Sequence, residues 1–234
     1  MKTEEGLTKI TAKIFEPAYR DLNNRLKGAL LSRDAFLDHV IAQEIPYLHR
    51  DLEGKRLSKK ANQYISHCLK KLGGREAPPL KQISIAIKHK TAKQLRSVVD
   101  EHNLVRDAFL NRLIFLLRAS NNALAALDLP THVASFRRDG TVDIPTSPLQ
   151  AIEITLADPF YYLRAGCEDS YGCGLNLMDL PEELHGLSCY IEDREVPTTE
   201  DYKDKIKRLE EMNDLIKNLE LKITTTKQKE KSHE

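Results

Sequence analysis

Four residues in the second half of the chain are of the types that hold zinc: Cys167, Cys173, His185 and Cys189 fall within 23 positions. Thiolates and an imidazole would close a tetrahedral structural site, but such sites usually take ligands in pairs about two to four residues apart. Cys167 and Cys173 are spaced more widely. Reduced, packed thiols are therefore the expectation, with these four as the ligands should a zinc be held. No cofactor is expected. Four cysteines in 234 residues are also few for a disulfide framework. Enzymatic chemistry has little to work with, since the sequence carries no glycine-rich phosphate loop, no paired metal-binding histidines and no nucleophile motif. The chain reads as a non-enzyme.

Charge is the other chemistry on offer. The net charge of +1 conceals a polarity: residues 1–120 hold 23 Lys and Arg against 13 Asp and Glu, and residues 121–234 hold 13 against 22. A net +10 followed by −9 suggests that the first half meets a polyanion, because counterion release rewards clustered cations on nucleic acid. The opening MKTEEGLTK has no apolar signal region and no run of eighteen apolar residues follows. A cytoplasmic protein without membrane association is the expectation.

The elements that position these charges are duplicated. RDAFL occurs at Arg33–Leu37 and again at Arg106–Leu110, 73 residues later. At that offset, residues 10–37 and 83–110 share nine identities in 28 positions without a gap. Ile10 meets Ile83, Ile14 meets Ile87, Leu22 meets Leu95 and Leu31 meets Leu104. The shared residues are mostly apolar and periodic, as a common core requires.

Each copy begins with period two. Ile10, Ala12 and Ile14 alternate with Lys9, Thr11 and Lys13, and Ile83, Ile85 and Ile87 alternate with Gln82, Ser84, Ala86 and Lys88. That pattern predicts half-buried strands. Glu16-Pro17 then opens a helix carrying Ala18, Leu22 and Leu26, matched by Thr91, Leu95, Val98 and Val99. Gly28 and Asn103 are the expected left-handed helix ends. A second helix follows Ser32, an apt N-cap, with Phe36, Leu37, Val40 and Ile41 on its apolar face, and Phe109, Leu110, Leu113, Ile114 and Leu117 in its counterpart. One strand and two helices leave an unpaired strand edge, so each copy needs a partner.

This strand, helix, turn, helix pattern resembles the ribbon-helix-helix fold of the Arc/MetJ/CopG type of DNA-binding proteins, over residues 8–48 and 81–120. The resemblance implies two strands paired as an antiparallel ribbon whose exposed face enters the major groove. It assigns base contacts to Lys9, Thr11 and Lys13 and to Gln82, Ser84 and Ala86, with Lys88 just beyond. It assigns phosphate contacts to the start of each second helix, at Ser32, Arg33 and Asp34 and at Val105, Arg106 and Asp107, where backbone N–H groups and the helix dipole favour an anion. The second copy departs from the first: Ala86 stands where Lys13 would, Val105 lacks the hydroxyl of Ser32, and Thr91 takes an apolar place. Fewer base contacts from that copy would suit an asymmetric DNA site. Pairing of the copies within one chain is favoured over pairing between chains, because it completes the fold without a second molecule.

The predicted organisation is mainly α with a short antiparallel β-ribbon, a tandem ribbon-helix-helix pseudodimer followed by a small acidic α+β extension and a C-terminal helix. The first repeat takes residues 1–48, a connecting helix and linker 49–80, the second repeat 81–127, and the acidic extension 128–199. The connecting helix shows Ala61, Tyr64, Ile65, Cys68, Leu69 and Leu72 on one face before Gly73-Gly74. Its Lys59, Lys60, Lys70 and Lys71 read as a solvated face, with phosphate contact as the alternative. Strands are expected at AIEITL and LSCYIE in the acidic extension. Residues 200–223 place Tyr202, Leu209, Ile216 and Ile223 seven apart, with Met212 and Leu219 on the complementary seam. That spacing predicts a coiled coil or a docked helix, followed by a disordered tail over 224–234.

Taken together, these features predict sequence-specific binding of double-stranded DNA by a transcriptional regulator. A protein-interaction or antitoxin-like module is the alternative, with the acidic C-terminal region binding a partner protein or a second copy.

Overall fold

The computed structural model describes residues 6–72, 80–120, 124–125, 147–161, 163–164, 174–192 and 207. The chain divides into two compact units, Met1–Arg194 and Glu195–Glu234. The heptads from Tyr202, the tail after them, Cys167, Cys173, Gly73 and Gly74 lie outside the described residues.

Strands β1 (Leu7–Phe15) and β2 (Leu80–Lys88) pair antiparallel in a two-stranded sheet, and helices make up most of the rest. The period-two pattern sets the faces. Ala12, Ile14, Ile85 and Ile87 are buried, whereas Lys9, Thr11, Lys13, Gln82, Ser84 and Lys88 are exposed. The register places Thr11 opposite Ser84, Lys9 opposite Ala86 and Lys13 opposite Gln82. Thr11 and Ser84 are also equivalent positions of the 73-residue repeat. The ribbon thus has a local twofold axis through this pair, exchanging Lys9 with Gln82 and Lys13 with Ala86.

Each strand runs directly into a helix. In the first copy α1 (Glu16–Gly28) has proline in its first turn and buries Ala18, Leu22 and Leu26, and α2 (Arg33–Asp51) follows a short turn. Helix α3 (Lys59–Lys71) connects the copies; Ser58 caps it by accepting from the Ala61 N–H, and Ala61, Tyr64, Ile65 and Leu69 are buried. In the second copy α4 (His89–His102) buries Thr91, Leu95 and Val98, and α5 (Arg106–Arg118) follows. Each second helix packs on the opposite copy, α2 against β2 and α4, α5 against β1 and α1. Two strands are too few to stand alone, and this exchange covers the apolar side of the ribbon from both copies.

The left-handed residue after α1 is Leu30 (φ 59), not the expected Gly28. The Leu30 N–H donates to the Lys27 carbonyl at 3.1 Å and the Leu31 N–H to the Leu26 carbonyl at 2.9 Å, a closure that requires the left-handed turn at Leu30. Asn103 (φ 54) is the equivalent residue in the second copy and is left-handed as expected; there the Leu104 N–H reaches the Val99 carbonyl at 2.9 Å. Repeat position therefore sets the cap, and the nearby glycine does not.

The acidic extension departs from expectation. AIEITL lies within helix α6 (Pro148–Ala157), whose cap Ser147 accepts from the Gln150 N–H and whose first turn holds Pro148. A short apolar run does not distinguish a strand from a helix by itself, and here the Ser-Pro start favours the helix. LSCYIE is not a strand either: 3-10 turns occupy Leu175–Leu177 and Glu182–Leu187, and irregular backbone follows through Glu192. Among the described residues of this region there is no strand, and its order comes from docking on the helices. Leu175, Met178, Leu180, Leu187 and Cys189 are buried. Buried Arg164 forms a two-pronged pair with buried Glu44 of α2, at 2.7 and 3.3 Å, and reaches Asp158 at 3.2 Å. Asn176 donates to Glu44 at 2.8 Å and to Asp51 at 3.1 Å. Buried Arg112 of α5 donates to the carbonyls of Leu175 and Leu187. Charges out of water are tolerated only when partnered in this way.

Candidate nucleic-acid interface

The middle of the ribbon's exposed face is polar, with Leu7 68% exposed at its edge. Lys9, Thr11 and Lys13 project from β1, and Gln82, Ser84 and Lys88 from β2, with the half-buried methyl of Ala86 opposite Lys9. Thr11 and Ser84 sit on the twofold axis. The lysines offer ammonium donors, Gln82 a donor and an acceptor, and the hydroxyls both.

The height of the ribbon over the helices is set by four side chains at two pairs of equivalent positions. Asp38 accepts from the Lys88 N–H at 2.9 Å, and Asn111, its equivalent in α5, accepts from the Phe15 N–H at 2.9 Å. One turn earlier, Asp34 accepts from the Ala86 N–H at 3.2 Å and Asp107 from the Lys13 N–H at 3.1 Å. Each bond runs from a strand of one copy to the second helix of the other. Backbone N–H groups at sheet edges need partners, and these side chains supply them. The aspartate of RDAFL is therefore an edge clamp, a role the sequence reading did not assign. The signal was present in the repeat: an acidic or amide residue recurs at 34 and 107 and at 38 and 111.

The starts of α2 and α5 flank the ribbon. Ser32 occupies the N-cap position of α2, but its hydroxyl makes no cap hydrogen bond, and Val105 has none to make. Arg33 pairs with Asp34 at 2.6 Å and lies over the Tyr19 ring at 5.6 Å. Arg106 pairs with Asp107 at 3.1 Å and donates to the Thr11 carbonyl at 2.5 Å. Both arginines keep partial exposure, 34% and 42% of the side chain, so each can turn toward an anion at the helix start. Burial is the largest single influence on the Asp34 carboxyl and acts upward. The hydrogen bonds from Arg33 and from the Ala86 N–H, with the charges of Arg33 and Lys9, outweigh it and hold the group below the usual carboxylate range.

Two open grooves adjoin the starts of the second helices. An open groove of about 990 Å³ beside the start of α5 is lined by Lys9, Lys13, Lys70, Lys93, Arg96 and Arg106, with Asp100 and Asp107. A second groove, of about 630 Å³, lies beside the start of α2 and also borders α4, mixing Lys88 and Lys90 with Asp34 and Asp38. Lys70 thus joins the ribbon lysines in one groove, as do Lys93 and Arg96, which the repeat pattern did not single out.

The zinc candidates that are described have other partners. His185 is buried with its Nδ1 at 2.9 Å from the Tyr64 hydroxyl, and the Cys189 thiol lies 3.7 Å from Asn176 Oδ1. Burial pushes the Cys189 thiol up to about 11.

No family model matches the chain, and neither does any curated protein or solved structure.

Proposed function

We propose that this chain is a sequence-specific double-stranded DNA-binding protein of the ribbon-helix-helix type, a tandem pseudodimer in one chain acting as a transcriptional regulator. The observation that carries the reading is the exposed polar face of an intramolecular antiparallel ribbon, with its twofold at Thr11 and Ser84. A two-stranded ribbon fits the major groove, where lysine donates to guanine O6 and N7, glutamine pairs with adenine, and a hydroxyl serves either base. Lys9, Lys13, Gln82 and Lys88 then read bases, Thr11 and Ser84 lie at the centre of the site, and Ser32, Arg33 and Arg106 meet phosphates at the helix starts. Because Lys13 corresponds in the repeat to Ala86, and Lys9 to Gln82, the target is an asymmetric site.

Selection of bound DNA from a random duplex pool at two salt concentrations tests this. An enriched asymmetric motif is expected, with affinity falling steeply with salt in proportion to the phosphates neutralised. The triple substitution K9A/T11A/K13A should remove the enrichment and leave thermal unfolding unchanged, since all three side chains are exposed. No enriched motif, together with weak salt dependence, would overturn the proposal.

A second reading, a protein-interaction or antitoxin-like module, draws support from α6. Leu149, Ile152 and Leu156 are 72%, 54% and 43% exposed on this helix, within the acidic region. Under that reading the triple substitution leaves partner binding intact, and charged substitutions at Leu149 and Ile152 abolish it.

A further inference from the structure

At the ends of α2 and α4 three potential metal ligands that are remote in sequence meet. His49 lies in the last turn of α2, and Glu101 and His102 close α4. One ligand atom from each lies within 4.8 Å of the other two. His49 Nδ1 is 3.2 Å from His102 Nε2 and 3.7 Å from Glu101 Oε2, and His102 Nε2 is 4.0 Å from Glu101 Oε1.

The chemistry of His102 is fixed by its other nitrogen. Nδ1 lies 2.7 Å from the Lys55 carbonyl oxygen, which only accepts, so Nδ1 carries the proton. In the neutral ring Nε2 then presents a lone pair toward His49. A backbone carbonyl holding one imidazole nitrogen while the other faces a metal is the usual support of a histidine ligand. The His102 side chain is 5% exposed and held in place, whereas those of His49 and Glu101 are 56% and 53% exposed and adjustable.

The distances suit a small cation. Bonds of about 2.0–2.1 Å in a tetrahedron place ligand atoms about 3.3 Å apart. The two nitrogens already stand at nearly that separation, and a small rotation of Glu101 brings its oxygen in. Both helices also end here, and helix C-termini favour positive charge. Arg56, which donates to the carbonyls of Asp100 and Glu101, is an opposing cation at this helix end.

We propose that His49, Glu101 and His102 form a binding site for a late first-row divalent cation, zinc foremost, with water in the remaining position. The ligand set of two imidazoles and one carboxylate matches that preference. Because His49 belongs to the second helix of one copy and His102 to the first helix of the other, the ion clips the two copies together. In its absence a His49 Nδ1–H donated to His102 Nε2 accounts for the 3.2 Å contact, and on metal binding that proton moves through solvent to His49 Nε2, freeing the Nδ1 lone pair for the ion.

The test uses the full chain titrated with Co²⁺ and then with Zn²⁺ as competitor. The expected result is one equivalent of Co²⁺ giving the visible bands of four- or five-coordinate cobalt, which Zn²⁺ abolishes, and a thermal midpoint raised by either ion. Glu101→Gln changes an exposed side chain and should melt like the unsubstituted chain without metal, whereas His49→Ala also removes the hydrogen bond to His102 Nε2 and lowers the metal-free midpoint modestly. Each should bind at least as weakly as if a supporting partner had been lost, about 10- to 100-fold. Absence of stoichiometric binding would overturn the site, as would binding unchanged in both variants. Thiolate charge-transfer bands in the near ultraviolet would overturn it too, placing the metal on cysteines.

Discussion

Asn111 offers the sharpest quantitative test of how the ribbon is held. Its Oδ1 accepts from the Phe15 N–H at 2.9 Å, and its Nδ2 donates to the Lys13 carbonyl at 2.9 Å and to the Asp107 carbonyl at 2.7 Å. The residue is 3% exposed. Asn111→Ala leaves a strand N–H and a strand carbonyl without their partner in part-buried surroundings. At about 1 kcal/mol or somewhat more for each, the expected loss is about 2–3 kcal/mol. Asn111→Asp separates the two functions. The new carboxylate still accepts from Phe15 but faces two carbonyl oxygens, which raises its folded-state pKa above the unfolded value. A group raised in this way contributes most below its unfolded pKa, and its contribution is lost as pH rises through the folded value. Asn111→Asp should therefore cost at least as much as Asn111→Ala at pH 7 and recover on acidification toward about pH 5, where the protonated carboxyl can donate to Lys13. Urea unfolding followed by far-ultraviolet circular dichroism at both pH values, with m compared across variants, gives the numbers. The reasoning fails if Asn111→Ala lies within about 0.5 kcal/mol of the unsubstituted protein, or if acid makes the Asp variant relatively worse.

Three further outcomes follow from local geometry. Gly186→Ala should destabilise by about 1–3 kcal/mol, because a Cβ there would come within 2.6 Å of the Leu69 backbone in α3; proteolysis should then cut more readily within 174–192. Leu30→Gly should stabilise by about 0.5–1 kcal/mol in thermal unfolding, since Leu30 has φ 59 and is 94% exposed, so strain is relieved and little packing is lost. Asp34→Ala should cost about 1 kcal/mol at neutral pH through the lost bond from Ala86. Because the folded Asp34 carboxyl is held low, its contribution is present above the unfolded value of about 3.9 and is lost as pH falls through the folded value; the gap between the two proteins should therefore close below about pH 4, and a gap that widens in acid would contradict the clamp.

The strands, the helices of both copies and the faces they bury are legible in the amino-acid sequence, because these depend on local periodicity: period two in 9–15 and 82–88, and apolar residues three and four apart afterwards. The repeat is legible there too, and with it Asn103 as a left-handed cap, but Gly28 points to the wrong cap of α1, since the reversal falls at Leu30, the repeat equivalent of Asn103. The AIEITL run was misread because six apolar-rich residues carry too little periodicity to separate a strand from a helix, and the Ser-Pro start decided it. Contacts between residues far apart in the chain are settled by packing, which local periodicity does not encode. The register centred on Thr11 and Ser84, the clamps from Asp34, Asp38, Asp107 and Asn111 to the opposite copy, and the burial of Arg164 against Glu44 are all of this kind. So is the meeting of His49 with Glu101 and His102: two histidines 53 residues apart show no pairing in a linear reading, and they become neighbours only because α2 packs against α4.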